Sequence, residues 1–365
     1  MFEMKFPPLI DGHVHGLSVA GANTIPKLMD VINAKQAGIA CQSDLNVTND
    51  NPAGFVLKVR HPERFYVLAG LEHSGHLHNL ESALSLSQQA HRLKEIGTDG
   101  IKLLASKPTE RKRLCEPLDG PYFREFFSVC EELNLPLLWH VADPEEFWEY
   151  EKLPQWAKEK GWGYDRDFQS KEELYRETEN VLRRHPRLCV VFPHVYFLSA
   201  DLERAERFFS EFPNANFDLA PGIELYYNLS LSREKARDFF CRFSSRILFG
   251  TDILSCLSPG EARARAGIIY RFLTEKESFR VPEEADFLLG PPEDGIIHGL
   301  DLPEAVVKAV LQDNFRRLFG RSPEKLNVTA AREECLRLAG IEASVKSCPL
   351  EDTEGAKAEK ILTQI

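Results

Sequence analysis

Residues 9–16 read Leu-Ile-Asp-Gly-His-Val-His-Gly, a short apolar run that turns polar before a glycine stops it. Side chains two apart on a strand point to the same side, so His13 and His15 can face one metal ion. Gly16 puts the pair at the carboxyl end of the strand. Similar runs recur at 9–15, 39–46, 65–71, 100–105, 135–141, 188–194, 215–219 and 246–252. Amphipathic segments separate them, at 24–37, 81–96, 122–133, 171–184, 201–212 and 233–243, and two more follow at 261–276 and 303–319. Eight β/α repeats predict a closed (β/α)8 TIM barrel over residues 1–320, with its site at the carboxyl face of the strands. No Gly-rich nucleotide loop follows any strand, which removes the usual open-sheet alternative. A long insertion after the fifth strand, 143–170, holds Trp148, Trp156 and Trp162 and reads equally as a lid or as packing. Beyond residue 320 a C-terminal extension, 321–365, is expected to form a helix at 329–339 and then a fraying polar tail.

Composition narrows the partners. The 365 residues are 43% hydrophobic and 28% charged, with 22 Gly and 22 Pro, which excludes wholesale disorder and collagen. Subtracting 56 acidic from 45 basic residues leaves −11, and no basic run offsets it, so neither nucleic acid nor an anionic membrane surface is expected as a partner. None of the 8 cysteines forms a CxxC pair, and they read as free thiols of a reducing compartment. The first residues lack the apolar stretch of a signal peptide, and the longest near-apolar run, 188–200, is broken by Pro193 and His194. A cytoplasmic protein is expected, in which the sequons at Asn46, Asn228 and Asn327 carry no sugar. Association into a homo-oligomer is compatible with the sequence.

Three further residues end strands as His13 and His15 do. His140 ends LPLLWH, His194 ends VVFPH, and Asp252 ends ILFGTD on the eighth. Any one of them could be a satisfied core histidine or a capping aspartate. Together they bring imidazoles and a carboxylate to one barrel mouth, a set that suits Zn²⁺, with Mn²⁺ or Fe²⁺ as alternatives. The run Glu72-His73-Ser74-Gly75-His76-Leu77-His78 reads as a solvated loop rather than as a second cluster, and Asp44 and Asp218 either orient ligating histidines or cap loops.

The order HxH, GIKL, LPLLWH, HP followed by a strand and PH, and ILFGTD resembles the amidohydrolase superfamily. Within it, the order resembles the amidohydrolase-related branch that includes aminocarboxymuconate semialdehyde decarboxylase. The resemblance runs from Leu9 to Phe319 and implies that His13, His15, His140 and Asp252 hold the metal while His194 acts as acid/base, with Asp252 also accepting a proton. One ion is expected rather than two. Lys102 sits where binuclear relatives carry a carboxylated lysine, and as a plain ammonium it would bind a substrate carboxylate or carbonyl oxygen. The function implied is a metal-dependent hydrolase, in which a metal-activated water cleaves a C–N or C–O bond of a small molecule. The alternatives are a non-oxidative decarboxylase of a carboxylated small molecule and a barrel that binds ligand without turnover.

Overall fold

The computed structural model describes residues 4–42, 49–81, 83–153, 155–285 and 295–365. Nine parallel strand segments make up the main sheet: β1 (Leu9–His15), β2 (Ala34–Ala40), β3 (Phe65–Gly70), β4 (Gly100–Ser106), β5 (Leu137–Val141), β6 (Val190–Phe192), β7 (Ala215–Asp218), β8 (Ile247–Leu248) and β9 (Ile253–Leu254). Their order is β8-β7-β6-β5-β4-β3-β2-β1-β9. The last two are pieces of one eighth strand: β8 pairs with β7 and β9 with β1. Between those pieces Gly12 N donates to Phe249 O at 2.9 Å, so the ring closes as the repeats predict. A small antiparallel pair, β10 (Ser278–Arg280) and β11 (Ile296–His298), has no counterpart in the sequence reading.

The barrel interior is filled in layers. Phe315 and Phe319, one turn apart on the helix Asn314–Phe319 with ring centroids 4.6 Å apart, plug the amino-terminal end. Above them Ile10, Leu68, Leu138, Val191 and Leu248 form an apolar layer. Alternation sends their neighbours Leu9, Leu137, Trp139, Val190 and Ile247 outward into the larger core shared with the helices. Two residues beyond Leu138 the same alternation turns His140 inward, and Lys102 pairs with Leu138 across the ladder on that inner face.

The first strand needs a device to join this scheme. Ile10 faces in, so strict alternation would turn His13 out. Between paired positions β1 advances from Asp11 to Val14 while β2 advances only from Ala37 to Ile39. The extra residue is a β-bulge, which re-aims the side chains beyond it. Val14 then packs in the outer core, and His13 and His15 both face the barrel mouth.

Several boundaries differ from expectation. The helix expected over 24–37 is Ile25–Val31. Asn33, with φ 55, turns the chain and bonds Phe6 O at 2.9 Å, and β2 begins at Ala34. The small residues of β2 resemble a helix in composition, but the barrel requires them, since a Cβ at Gly38 would lie 2.9 Å from Gly12 O. Residues 43–48, Asp44 among them, lie outside the described residues. The segment expected as one helix at 303–319 carries a π turn, Ala309–Asp313, between Glu304–Lys308 and Asn314–Phe319. After β5 the insertion forms short turns and a helix, Gln155–Glu159, around a small core of Phe147, Leu153, Ala157 and Tyr164. The C-terminal helix runs Val328–Lys346. The tail expected to fray is instead a second helix, Glu354–Leu362, with Ala358 and Leu362 buried. Glu354 Oε2 accepts Val19 N at 2.7 Å, which ties the extension to the short helix Val19–Ala22 that follows β1. Among the described residues no helix is long and apolar enough to cross a membrane.

Because Phe315 is 1% exposed and plugs the barrel, Phe315→Ala is expected to cost about 3–5 kcal/mol in urea unfolding. A loss below about 1 kcal/mol would mean that the interior is not filled from this helix.

Candidate metal centre

His13 Nε2 and His15 Nε2 lie 3.1 Å apart, and Asp252 Oδ1 is 2.9 Å from the second and 3.6 Å from the first. The opposite ring nitrogens decide what these atoms are. His15 Nδ1 is 2.7 Å from Ala40 O, a carbonyl that can only accept, so Nδ1 carries the proton and Nε2 of the neutral ring a lone pair. His13 Nδ1 lies 2.8 Å from Asp218 Oδ2, while Asp218 Oδ1 accepts His194 N and Ala220 N, each at 3.0 Å. The carboxylate thus takes the His13 proton as well. In the neutral form of both rings, two lone pairs and a carboxylate oxygen converge, with Lys102 Nζ 3.1 Å from His13 Nε2 and Gln42 Nε2 3.5 Å from His15 Nε2.

The spacing fits a metal ion. Ligand atoms about 2.0–2.2 Å from a tetrahedral centre sit about 3.3 Å from each other, and the three separations straddle that value. Burial, aided by the charge of Lys102, pushes His13 down to about 4 and keeps it in the neutral form that binds metal. Among the described residues, His13, His15 and Asp252 are the group with metal-ligand spacing. The histidines of 72–78 do not join one: His73 Nδ1 is 2.9 Å from Tyr122 OH, and His76 donates to Leu114 O at 2.8 Å.

Asp11 stitches together the two segments that carry His13 and Asp252. Its Oδ1 accepts His13 N at 3.2 Å and Thr251 N at 3.0 Å, and its Oδ2 accepts Thr251 Oγ1 at 2.5 Å. Burial raises its carboxyl to about 7 despite these bonds. Asp252 follows in the left-handed region, φ 55, with its N–H on His13 O at 2.9 Å. That turn separates β8 from β9 and swings the carboxylate over the histidines.

The other expected residues gather at the same mouth in different ways. Lys102 Nζ, buried, donates to His13 Nε2 at 3.1 Å, and burial pushes its ammonium down to about 8. His194 Nδ1 donates to Ala220 O at 2.9 Å, leaving Nε2 as the basic nitrogen. Its residue opens a left-handed run through Phe197, with φ of 57, 54, 57 and 49, a conformation uncommon for Val195. His140 stands 5.3 Å from His194 between ring centroids but outside the three-ligand group, its Nε2 3.2 Å from Asp143 Oδ1. A cavity of about 510 Å³ over these residues also takes in Gln42, Thr109 and Glu110, and an adjoining lobe of about 330 Å³ is walled by Phe147, Phe197, Pro221, Ile223 and Leu254. Trp162 and Lys107 line both. Sequence reading missed Asp143, Lys107 and Tyr164. The one available signal was an aspartate three residues beyond His140.

The sequence model of a family described as amidohydrolase matches residues 59–321, and the chain belongs to that family. The match begins after β1, so the assignment of His13 and His15 rests on their geometry. No curated protein matches the sequence. Solved structures share the fold. A Staphylococcus aureus protein taken for an amidohydrolase superposes with TM-score 0.54 at 13% identity, covering 86% of this chain and 100% of its own. A TIM-barrel protein of Bordetella bronchiseptica gives 0.52 at 13%, covering 86% and 99%.

The His13 shift has a sign that can be measured on chelator-treated protein. Its folded value near 4 lies below the unfolded value of about 6.5, so its contribution is complete above pH 6.5 and is lost as pH falls toward 4. Asp11, raised to about 7, acts with the opposite sign, so the comparison must be with a variant. The stability advantage of wild type over His13→Asn is expected to shrink by about 3 kcal/mol between pH 6.5 and 4 in urea unfolding. A constant difference would show that His13 is not held neutral.

Proposed function

We propose that this protein is a metal-dependent hydrolase that cleaves a C–N or C–O bond of a small molecule with one divalent ion, zinc by preference. The observation that carries this reading is the convergence of His13 Nε2, His15 Nε2 and Asp252 Oδ1 within 3.6 Å, the two rings holding their protons on the opposite nitrogens. An ion held there supplies Lewis acidity toward water and a substrate oxygen. His140, with Asp143 behind it, is the further ligand that the family pattern assigns. His194 Nε2 or Asp252 takes the proton of the attacking water, a contribution typically worth about 10²–10⁴-fold. Lys102 directs its ammonium at a carboxylate or carbonyl oxygen of the substrate. The two lobes of the cleft suit a molecule with an apolar, flat moiety at one end and polar groups at the other, its reacting bond beside His194 and Asp252.

Lys102 also favours a second reading, non-oxidative decarboxylation, because a buried ammonium beside the ligand atoms can hold a carboxylate over the centre. The fate of water separates the two. Once turnover is found among amides, lactones and carboxylated aromatics, a single turnover in ¹⁸O-water is expected to leave label in the product. Stoichiometric CO₂ with deuterium but no ¹⁸O incorporated would establish the second reading instead.

Elemental analysis of protein offered Zn²⁺ is expected to give close to one ion per chain in wild type and in His194→Asn, and little in the His13→Ala/His15→Ala double variant. Turnover by His194→Asn is expected to fall ~100-fold or more. Equal metal in wild type and the double variant would remove the centre, and loss of half the metal from His194→Asn would argue for two ions.

A further inference from the structure

Asp143 is the most heavily engaged carboxylate at the mouth. Lys107 Nζ donates to its Oδ1 at 2.8 Å and to its Oδ2 at 2.7 Å, His140 Nε2 meets Oδ1 at 3.2 Å, and the Tyr164 hydroxyl donates to Oδ2. Tyr164 belongs to the far end of the insertion and is 4% exposed. It packs on Trp148 and Phe168 with ring centroids 4.9 Å away in each case, and its N–H bonds Phe147 O at 2.8 Å. The insertion and a histidine of the barrel therefore share one acceptor.

The geometry points to Tyr164 as a positioning residue for His140. A carboxylate clasped by an ammonium and a phenol only accepts, so the third group it touches, His140 Nε2, carries the proton. The lone pair of that ring then lies on Nδ1. A ring without this partner could adopt the other tautomer or turn over, presenting an N–H where a base or ligand is required. Lys107 bridges both oxygens of Asp143 and also stands 4.4 Å over the Trp162 ring, while Tyr164 adds its donor at Oδ2 and leaves Oδ1 to His140. Docking of residues 143–170 thus sets which nitrogen of His140 is basic, so the insertion is a working part of the site. That the basic nitrogen serves a metal rests on the function proposed above, whereas the tautomer itself does not.

The test uses the full-length chain, labelled with ¹⁵N-histidine and freed of metal by chelator. Two-bond ¹H–¹⁵N correlations report each ring's tautomer, His140 being assigned by the peaks lost in His140→Gln. Wild type is expected to hold the proton on Nε2, and Tyr164→Phe to show both tautomers. Titration with Zn²⁺ alone is expected to be several-fold weaker for Tyr164→Phe and about 10–100-fold weaker for Asp143→Ala. Trp148→Phe, which disturbs the same small core without touching Asp143, is expected to leave both readouts unchanged. If Tyr164→Phe fails to fold, Lys107→Met removes another donor from the same carboxylate and is expected to act in the same direction. A wild-type spectrum for Tyr164→Phe, or an equal change in Trp148→Phe, overturns the proposal. A tautomer change with no Zn²⁺ binding in any variant would sustain it while removing the metal reading.

Discussion

The end of β1 and the turn between β8 and β9 bring the ring nitrogens of His13 and His15 and the carboxylate of Asp252 to within 3.6 Å of one another at the barrel mouth. Much of the surrounding structure serves to hold that arrangement. Ala40 O and Asp218 take the outward protons of the two rings, which fixes the tautomer of each and turns both Nε2 atoms inward. Asp11 binds the backbone of both segments, at His13 and Thr251, and Lys102 donates to His13 Nε2. A site so arranged is held in one geometry by its neighbours, the preorganisation that the proposed metal centre calls for.

The barrel makes this affordable by separating tasks along its axis. Phenylalanines close one end, aliphatic side chains fill most of the middle, with Lys102 entering beside Leu138 and Asn216 beside Val191, and the histidines and carboxylates of the mouth come in at or beyond the carboxyl ends of the strands. The polar layer is therefore walled by a rigid core on one side and opens into the cleft on the other, where substrate and water enter. Helix-to-sheet packing, the largest of the cores, lies outside the strands and apart from the residues that line the cleft.

The insertion after β5 adds what the barrel alone lacks. It has its own small aromatic core, contributes Trp162 to both lobes of the cleft and reaches Asp143 through Tyr164. Its two sequence readings, lid or packing, are not exclusive: the residues that pack it are the ones that hang it on the site.

How much of this was legible follows from which interactions are local. Alternating apolar runs between amphipathic segments dictate a β/α repeat, and strand-terminal His13, His15, His140, His194 and Asp252 mark one face of it, because side-chain direction along a strand has period two. That same period misleads at β1. Counting from Ile10 puts His13 on the wrong side, and only pairing against β2 reveals the bulge that corrects it. Local pattern likewise read the small residues of β2 as helix, since close passage of Gly38 by Gly12 is a contact between chains of atoms far apart in sequence. The amino-acid sequence by itself determined the fold class and the chemical type of the site, through periodicity and residue chemistry. Which nitrogens face inward, how His140 is held by Asp143 and Tyr164, and how the C-terminal helix joins the short helix after β1 were decided by tertiary structure, because each depends on partners that only closure of the barrel brings within hydrogen-bond distance.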